Sequence, residues 1–126
     1  MDNNILLKLN EFPELTYDGI DWNQRGKNYK AKRKLLLNAT DEIEICIEWL
    51  NKFFVSNTKI VNPSSSYGLK HHVENYCKTY ISTGSFVAAV KILNIKHKEY
   101  PGDSDIYVSF KREHFRKYKQ LYRHRR

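Results

Sequence analysis

The residues with the most obvious chemistry are two adjacent histidines, His71 and His72, the nearby Glu74, and the chain's only cysteines, Cys46 and Cys77. Neighbouring residues on a helix diverge by about 100°, so His71 and His72 cannot share a metal as i, i+4 histidines do. No further cysteine or carboxylate stands at ligand spacing, and neither a metal nor a cofactor is expected. His71 and Glu74 at i, i+3 suit a general acid–base pair, yet no nucleophile or phosphate loop accompanies them, so the chain reads as non-enzymatic. His72 falls on an apolar face, as a core histidine does, while Lys70 and His71 point outward. Both cysteines lie in apolar helical patterns and read as buried, reduced thiols. Ser82-Thr83-Gly84 offers either an anion site at a helix N-terminus or a plain cap, and capping is the expectation.

Binding chemistry is more strongly marked. Taken as a helix, the C-terminal segment places Arg112, Arg116, Lys119 and Arg123 within about a 60° arc, with Arg126 extending that edge. Phe115, Tyr118, Leu121 and Tyr122 form a separate apolar stripe. A solvated helix usually mixes signs to gain i, i+4 pairs; a single-sign stripe forgoes them. If residues 27–37 form a strand, Lys30, Lys32 and Lys34 make a second basic row, with Tyr29 beside it to pack or to stack on a base.

The charge distribution supports this emphasis. The 126 residues carry 22 Lys and Arg against 14 Asp and Glu, a net +8. Residues 23–40 hold net +6 with no acid, and residues 111–126 hold net +7. Polyanions are therefore the first class of partner to consider. A disordered or fibrous chain is excluded by 40% hydrophobic residues with only three Pro and five Gly. No window is apolar enough to span a membrane, and the N-terminus lacks the pattern of a secretory signal, so a cytoplasmic protein is expected.

Several elements must position these groups. Asn4–Phe12 has helical spacing and Pro13 stops it, and Tyr17-Asp18-Gly19-Ile20 reads as a turn. Residues 27–37 fit both periods and are read as a strand, with Tyr29, Ala31, Arg33, Leu35 and Leu37 on the face opposite the lysines. Thr40-Asp41 caps the clearest helix, with Glu44 completing a capping box and Ile43, Cys46, Ile47, Leu50, Phe53 and Phe54 as its stripe. Asn62-Pro63-Ser64-Ser65-Ser66 is a loop and the best boundary. A Ser-capped helix follows, then a short connector and a helix from Gly84 to Leu93 that is apolar nearly all round, as buried helices are. Pro101-Gly102-Asp103 turns a hairpin between Ile95–Tyr100 and Asp105–Phe110, and Ser109 caps the terminal helix.

The stretch Ser66-Tyr67-Gly68-Leu69-Lys70-His71-His72-Val73-Glu74, followed by Tyr80-Ile81-Ser82-Thr83-Gly84-Ser85-Phe86-Val87-Ala88-Ala89, resembles a module of small accessory proteins from plasmids, integrative elements and phages. Their pattern is Ser-Tyr-x-Leu-Lys-His-x-x-Glu, then Tyr-Val/Ile-Ser-Asn-Gly-x-Phe-Ile-x-Ala, with an aromatic strand like Ile106–Phe110 after it. Thr83 stands here for the usual Asn and Val87 for the usual Ile. The likeness covers about residues 66–110 and implies a mobile-element accessory role, with no catalytic residue to carry over.

These readings combine into one α+β domain over residues 1–126. It comprises an N-terminal half (1–61), a helix–helix–hairpin module of winged-helix-like outline (66–110) and a basic C-terminal helix (111–126). About four helices and a small antiparallel sheet are expected. A winged helix reads bases through its second helix, but between Gly84 and Leu93 only Ser85 and Lys91 are polar. The expected function is non-enzymatic binding to RNA, DNA or a nucleic-acid-bound effector protein, driven by phosphate contacts. By analogy, one form is an anti-CRISPR-like inhibitor of a host nucleic-acid-guided defence. The alternatives are a DNA-binding regulator or relaxosome accessory protein, and a module for an acidic protein partner.

Overall fold

The computed structural model describes residues 2–54 and 63–109. The described residues form five helices and two small antiparallel sheets, an α+β fold. Helix α1 (Asp2–Leu9) leads into a hairpin of β1 (Leu15–Thr16) and β2 (Gly19–Ile20), with Tyr17-Asp18 as its two-residue loop. Gly19 has φ of 119°, and a Cβ there would lie 2.3 Å from the Ser104 carbonyl oxygen, so both backbone and space require glycine.

Residues 26–37 are the clearest departure from expectation. They form helix α2 (Gly26–Leu37), one helix more than the sequence reading counted. The segment turns only a narrow face inward: Leu36 is buried, and Tyr29 donates a hydrogen bond to the Pro13 carbonyl at 2.5 Å. Beside them Arg33 reaches the end of α1. It donates to the carbonyls of Leu9 (2.8 Å), Phe12 (2.9 Å) and Leu15 (3.0 Å), satisfying acceptors that the helix end leaves open.

Helix α3 (Thr40–Phe53) is the central element, and Trp49 joins Ile43, Cys46, Leu50 and Phe53 on its buried face. Ala39 occupies its N-cap and no side chain caps it, so the expected capping box is not formed. Ser64–Ser65, expected as loop, is strand β3, and its partner is β5 (Ile106–Val108). Helix α4 (Ser66–Cys77) starts with the Ser65 hydroxyl accepting from the Gly68 amide, the serine cap the sequence suggested. Helix α5 (Thr83–Ile92) follows, and then β4 (Lys98–Glu99) pairs with β5 across the expected turn. The three-stranded sheet has the order β3-β5-β4.

The expected helix–helix–hairpin order is therefore present, with a third strand added. Residues from Ile5 to Val108 contribute to one hydrophobic cluster, in which Trp49, Phe53 and Phe86 are the largest fully buried side chains. Cys46 and Cys77 are free thiols; Cys46 is fully buried and Cys77 half-buried. Burial pushes the Cys46 thiol well up from its ordinary value, which leaves it unreactive.

Candidate nucleic-acid interface

Helical geometry rearranges the basic block of residues 23–40. Lys30, Lys32 and Lys34 were expected as one row on a strand; on α2, Lys32 turns about 160° away from Lys34. Lys32 pairs with Asp18 at 3.3 Å instead. Lys30 and Lys34 stay together at i, i+4, and Lys27 joins them, so the three occupy about a 60° arc. All three are exposed, and none of their ammonium groups makes a hydrogen bond or ion pair among the described residues. The anchors Tyr29 and Arg33 fix the rotation of α2, so the lysine row is held facing solvent. Arg112, Arg116, Lys119, Arg123 and Arg126 lie outside the described residues, as do the proposed cap's helix and its apolar stripe.

Helix α5 offers no reading surface. Every residue from Gly84 to Val90 is buried. A Cβ on Gly84 would stand 1.8 Å from the Thr16 carbonyl oxygen, so the β1–β2 hairpin lies directly against the helix backbone. The N-terminus of α5 is occupied from within the chain. Glu42 of α3 accepts from the Ser82 amide at 2.9 Å and from the Ser85 hydroxyl at 3.0 Å, while the Ser82 hydroxyl caps the Ser85 amide. Tyr17 donates to the same carboxylate at 2.8 Å. Burial, then the Glu42 carboxylate, pushes the Tyr17 hydroxyl upward. The favourable place for an anion at a helix start is thus taken by Glu42, a residue the sequence reading passed over. At the other end Lys91 binds Glu14 at 2.6 Å and Glu99 at 2.9 Å.

The motif residues of α4 form a second knot. Asp105 accepts from the Ser66 hydroxyl (2.6 Å) and the Tyr67 amide (2.9 Å), tying the helix start to β5. Glu74 accepts from the Ile81 amide at 3.0 Å, from Lys70 at 3.3 Å, and meets His71 Nδ1 at 2.8 Å. Burial alone would raise the Glu74 carboxyl, but the Ile81 amide, Lys70 and His71 together hold it below its ordinary value. The acid–base spacing seen in the sequence is therefore realised as a brace between α4 and the connector to α5.

Lys70 corrects the outward placement: it is only 4% exposed. Its ammonium lies 5.6 Å from the Tyr67 ring centre and 4.6 Å from that of Tyr80. The two tyrosines remain 57% and 60% exposed, so they roof the lysine while keeping aromatic surface in water. His71 is exposed beside Tyr67, and His72 is half-buried, so the two diverge as helical geometry requires. Among the described residues no three His, Cys, Asp or Glu side chains gather as a metal-binding group. No helix of the described residues is long and apolar enough to cross a membrane. No family model, curated protein or solved structure matches the chain.

Proposed function

We propose that the protein binds nucleic acid, free or within a ribonucleoprotein, through phosphate contacts from the Lys27–Lys30–Lys34 row and from the basic segment 111–126. The observation that carries this reading is the division of labour within one basic block. Lys32 and Arg33 are engaged by Asp18 and by backbone carbonyls, whereas Lys27, Lys30 and Lys34 are exposed with no acid beside them in sequence. Three like charges on one helix face repel each other, and a polyanion relieves that repulsion. Reading of base edges by α5 is disfavoured by its burial, so affinity depends on phosphates and weakly on sequence. The activity is binding rather than catalysis. The likeness of residues 66–110 to mobile-element modules extends the reading to an accessory role, of which inhibition of a nucleic-acid-guided defence is one form.

The test is affinity against salt for the full chain, using labelled single-stranded and duplex oligonucleotides. K27Q/K30Q/K34Q should reduce the slope of log affinity on log salt by about 0.7 to 0.9 per residue, roughly 2 to 3 units. R112Q/R116Q/K119Q/R123Q should remove about 3 units. Absence of binding at about 50 mM salt, or folded variants that keep the full slope, would overturn the proposal.

A further inference from the structure

A cleft of about 360 Å³ opens on the Asn28 and Lys32 side of α2, between that helix, the β1–β2 hairpin and the segment that follows it, with Gly102 of the β4–β5 turn in its lining. Its size falls in the range of small-molecule sites, roughly 300 to 1,000 Å³. One wall is Trp22, which is 43% exposed. The indole Nε1–H donates to the Asp103 carbonyl at 2.8 Å, so the neighbouring turn holds the edge of the ring. An aromatic ring fixed at its edge and open to solvent is a ready stacking surface.

The other lining groups suit the edge of a base. The side-chain amides of Asn23 and Asn28 make no hydrogen bond among the described residues, and each offers both donors and an acceptor. Asp18 is paired with Lys32, and one Asp21 oxygen accepts from the Asn23 and Gln24 amides. The remaining carboxylate lone pairs seek donors. Adenine, cytosine and guanine carry an exocyclic amino group to meet them, whereas thymine and uracil do not. The same carboxylates repel phosphate, which leaves the sugar–phosphate backbone outside. The lysine row lies on another face of α2: Asn28 is about 100° and Lys32 about 140° round the helix from Lys27, the member of the row nearest the cleft. Bases of a duplex are locked in their stack, while those of a single strand are free to turn in.

We infer that this cleft is a base-stacking subsite for single-stranded nucleic acid, with Trp22 as the platform and amino-bearing bases preferred. The inference rests on the nucleic-acid reading above and adds to it the strandedness and base preference of the ligand.

Intrinsic fluorescence tests it directly, because Trp22 and Trp49 are the only tryptophans and Trp49 is fully buried. The full chain is titrated with oligo(dA), oligo(dC) and oligo(dT) of about 12 nucleotides and with a duplex of the same length. Oligo(dA) and oligo(dC) should quench the Trp22 emission, oligo(dT) less, and the duplex not at all. W22A should weaken single-strand binding about tenfold, as loss of one base–aromatic stack does, while duplex affinity and the salt slope stay unchanged. W22F, which keeps a ring, should lose less. Should W22A fail to fold, wild-type quenching and the loss of base preference in N28A decide the matter. Single-strand binding without quenching, or with wild-type affinity in folded W22A, would overturn the subsite. The reading of the lysine row would then survive, provided K27Q/K30Q/K34Q still lowers the salt slope. No binding of either strand form would remove both.

Discussion

Helices α2 and α5 both lean on the short hairpin Leu15–Ile20, and they use their side chains in opposite ways. Of the residues of α5, Gly84 to Val90 are all buried, and both ends are held by carboxylates of other elements. Helix α2 buries Leu36, anchors Tyr29 and Arg33, and gives the rest of its circumference to lysine and solvent. Position in the chain does not explain the contrast; composition does. A helix that is apolar nearly all round must be enclosed, and α3, α4, α1 and the β1–β2 hairpin together supply the enclosure. A helix with a single buried leucine needs polar anchors to fix its rotation, and its outer face is left to solvent.

Gly84→Ala is the most severe way to probe this difference. The added methyl would collide with the Thr16 carbonyl at 1.8 Å and the Tyr17 carbonyl carbon at 2.8 Å, both backbone atoms that cannot swing aside. Overpacking of that kind should cost about 3 kcal/mol or more, read as a lower denaturant midpoint at unchanged m-value. A loss under about 1 kcal/mol would show that the hairpin is not clamped onto α5. On the α2 side the largest effect belongs to Arg33→Ala. Its guanidinium serves three carbonyls, so removal should cost about 2 kcal/mol through unsatisfied acceptors and lost charge-assisted bonds. Urea denaturation of that variant beside K34A, which should be near neutral, separates the anchored base from the free one.

What could be read from the sequence follows the same line. Helix α5, its serine cap, the serine cap of α4, the turn at Tyr17–Ile20 and the β4–β5 hairpin were legible, because each is set by local pattern or turn chemistry. Helix α2 was not, because Lys30, Lys32 and Lys34 alternate with Tyr29, Ala31, Arg33 and Leu35 and imitate a strand. The missed signal was composition: from Lys27 to Leu37 there is no β-branched residue, and Lys, Arg, Ala and Leu all favour helix. Tyr29, Arg33, Leu36 and Leu37 do keep helical spacing, but Arg33 does not look like a buried-face residue until its three carbonyls are seen. Glu42 and the burial of Lys70 were out of reach for a different reason. Each depends on partners brought from far along the chain: Ser82 and Ser85 for the first, Tyr80 for the second. On the exposed face of α2, Lys30 and Lys34 stay together as expected, Lys27 was counted only as charge, and Lys32 is turned out of the expected row to pair with Asp18.

Acid should weaken the enclosure of α5 before it affects α2. Burial would raise the Glu99 carboxyl, but Lys91 and His97 outweigh it and hold it below its ordinary value of 4.5; Glu74 is lowered in the same sense. A carboxyl whose folded pKa is depressed adds stability that is present above the unfolded value and lost as pH falls through the folded one. Thermal midpoints should therefore drop as pH goes below about 4.5, and E74Q and E99Q should each start lower at pH 7 but fall less with acid. An unchanged acid slope in both variants would show that other carboxylates govern it. The effect of each should be smaller than that of Gly84→Ala or Arg33→Ala.

The smallest expected effect on stability sharpens the comparison most. K27Q/K30Q/K34Q alters three exposed residues of α2, and glutamine has nearly the helix propensity of lysine. Like charges at i, i+4 destabilise a helix by a few tenths of a kcal/mol, so their removal should leave stability unchanged or raise it slightly. The gain should be largest at low salt and vanish as the Debye length shrinks to about 3 Å near 1 M. Denaturant midpoints of wild type and variant, compared at low and high salt, measure this. A clear loss of stability would mean that the lysines are paired or packed, and the free outer face attributed to α2 would disappear. Matched stability together with the reduced binding slope would separate the two roles within one helix: Tyr29, Arg33 and Leu36 hold it in place, and Lys27, Lys30 and Lys34 are left for the ligand.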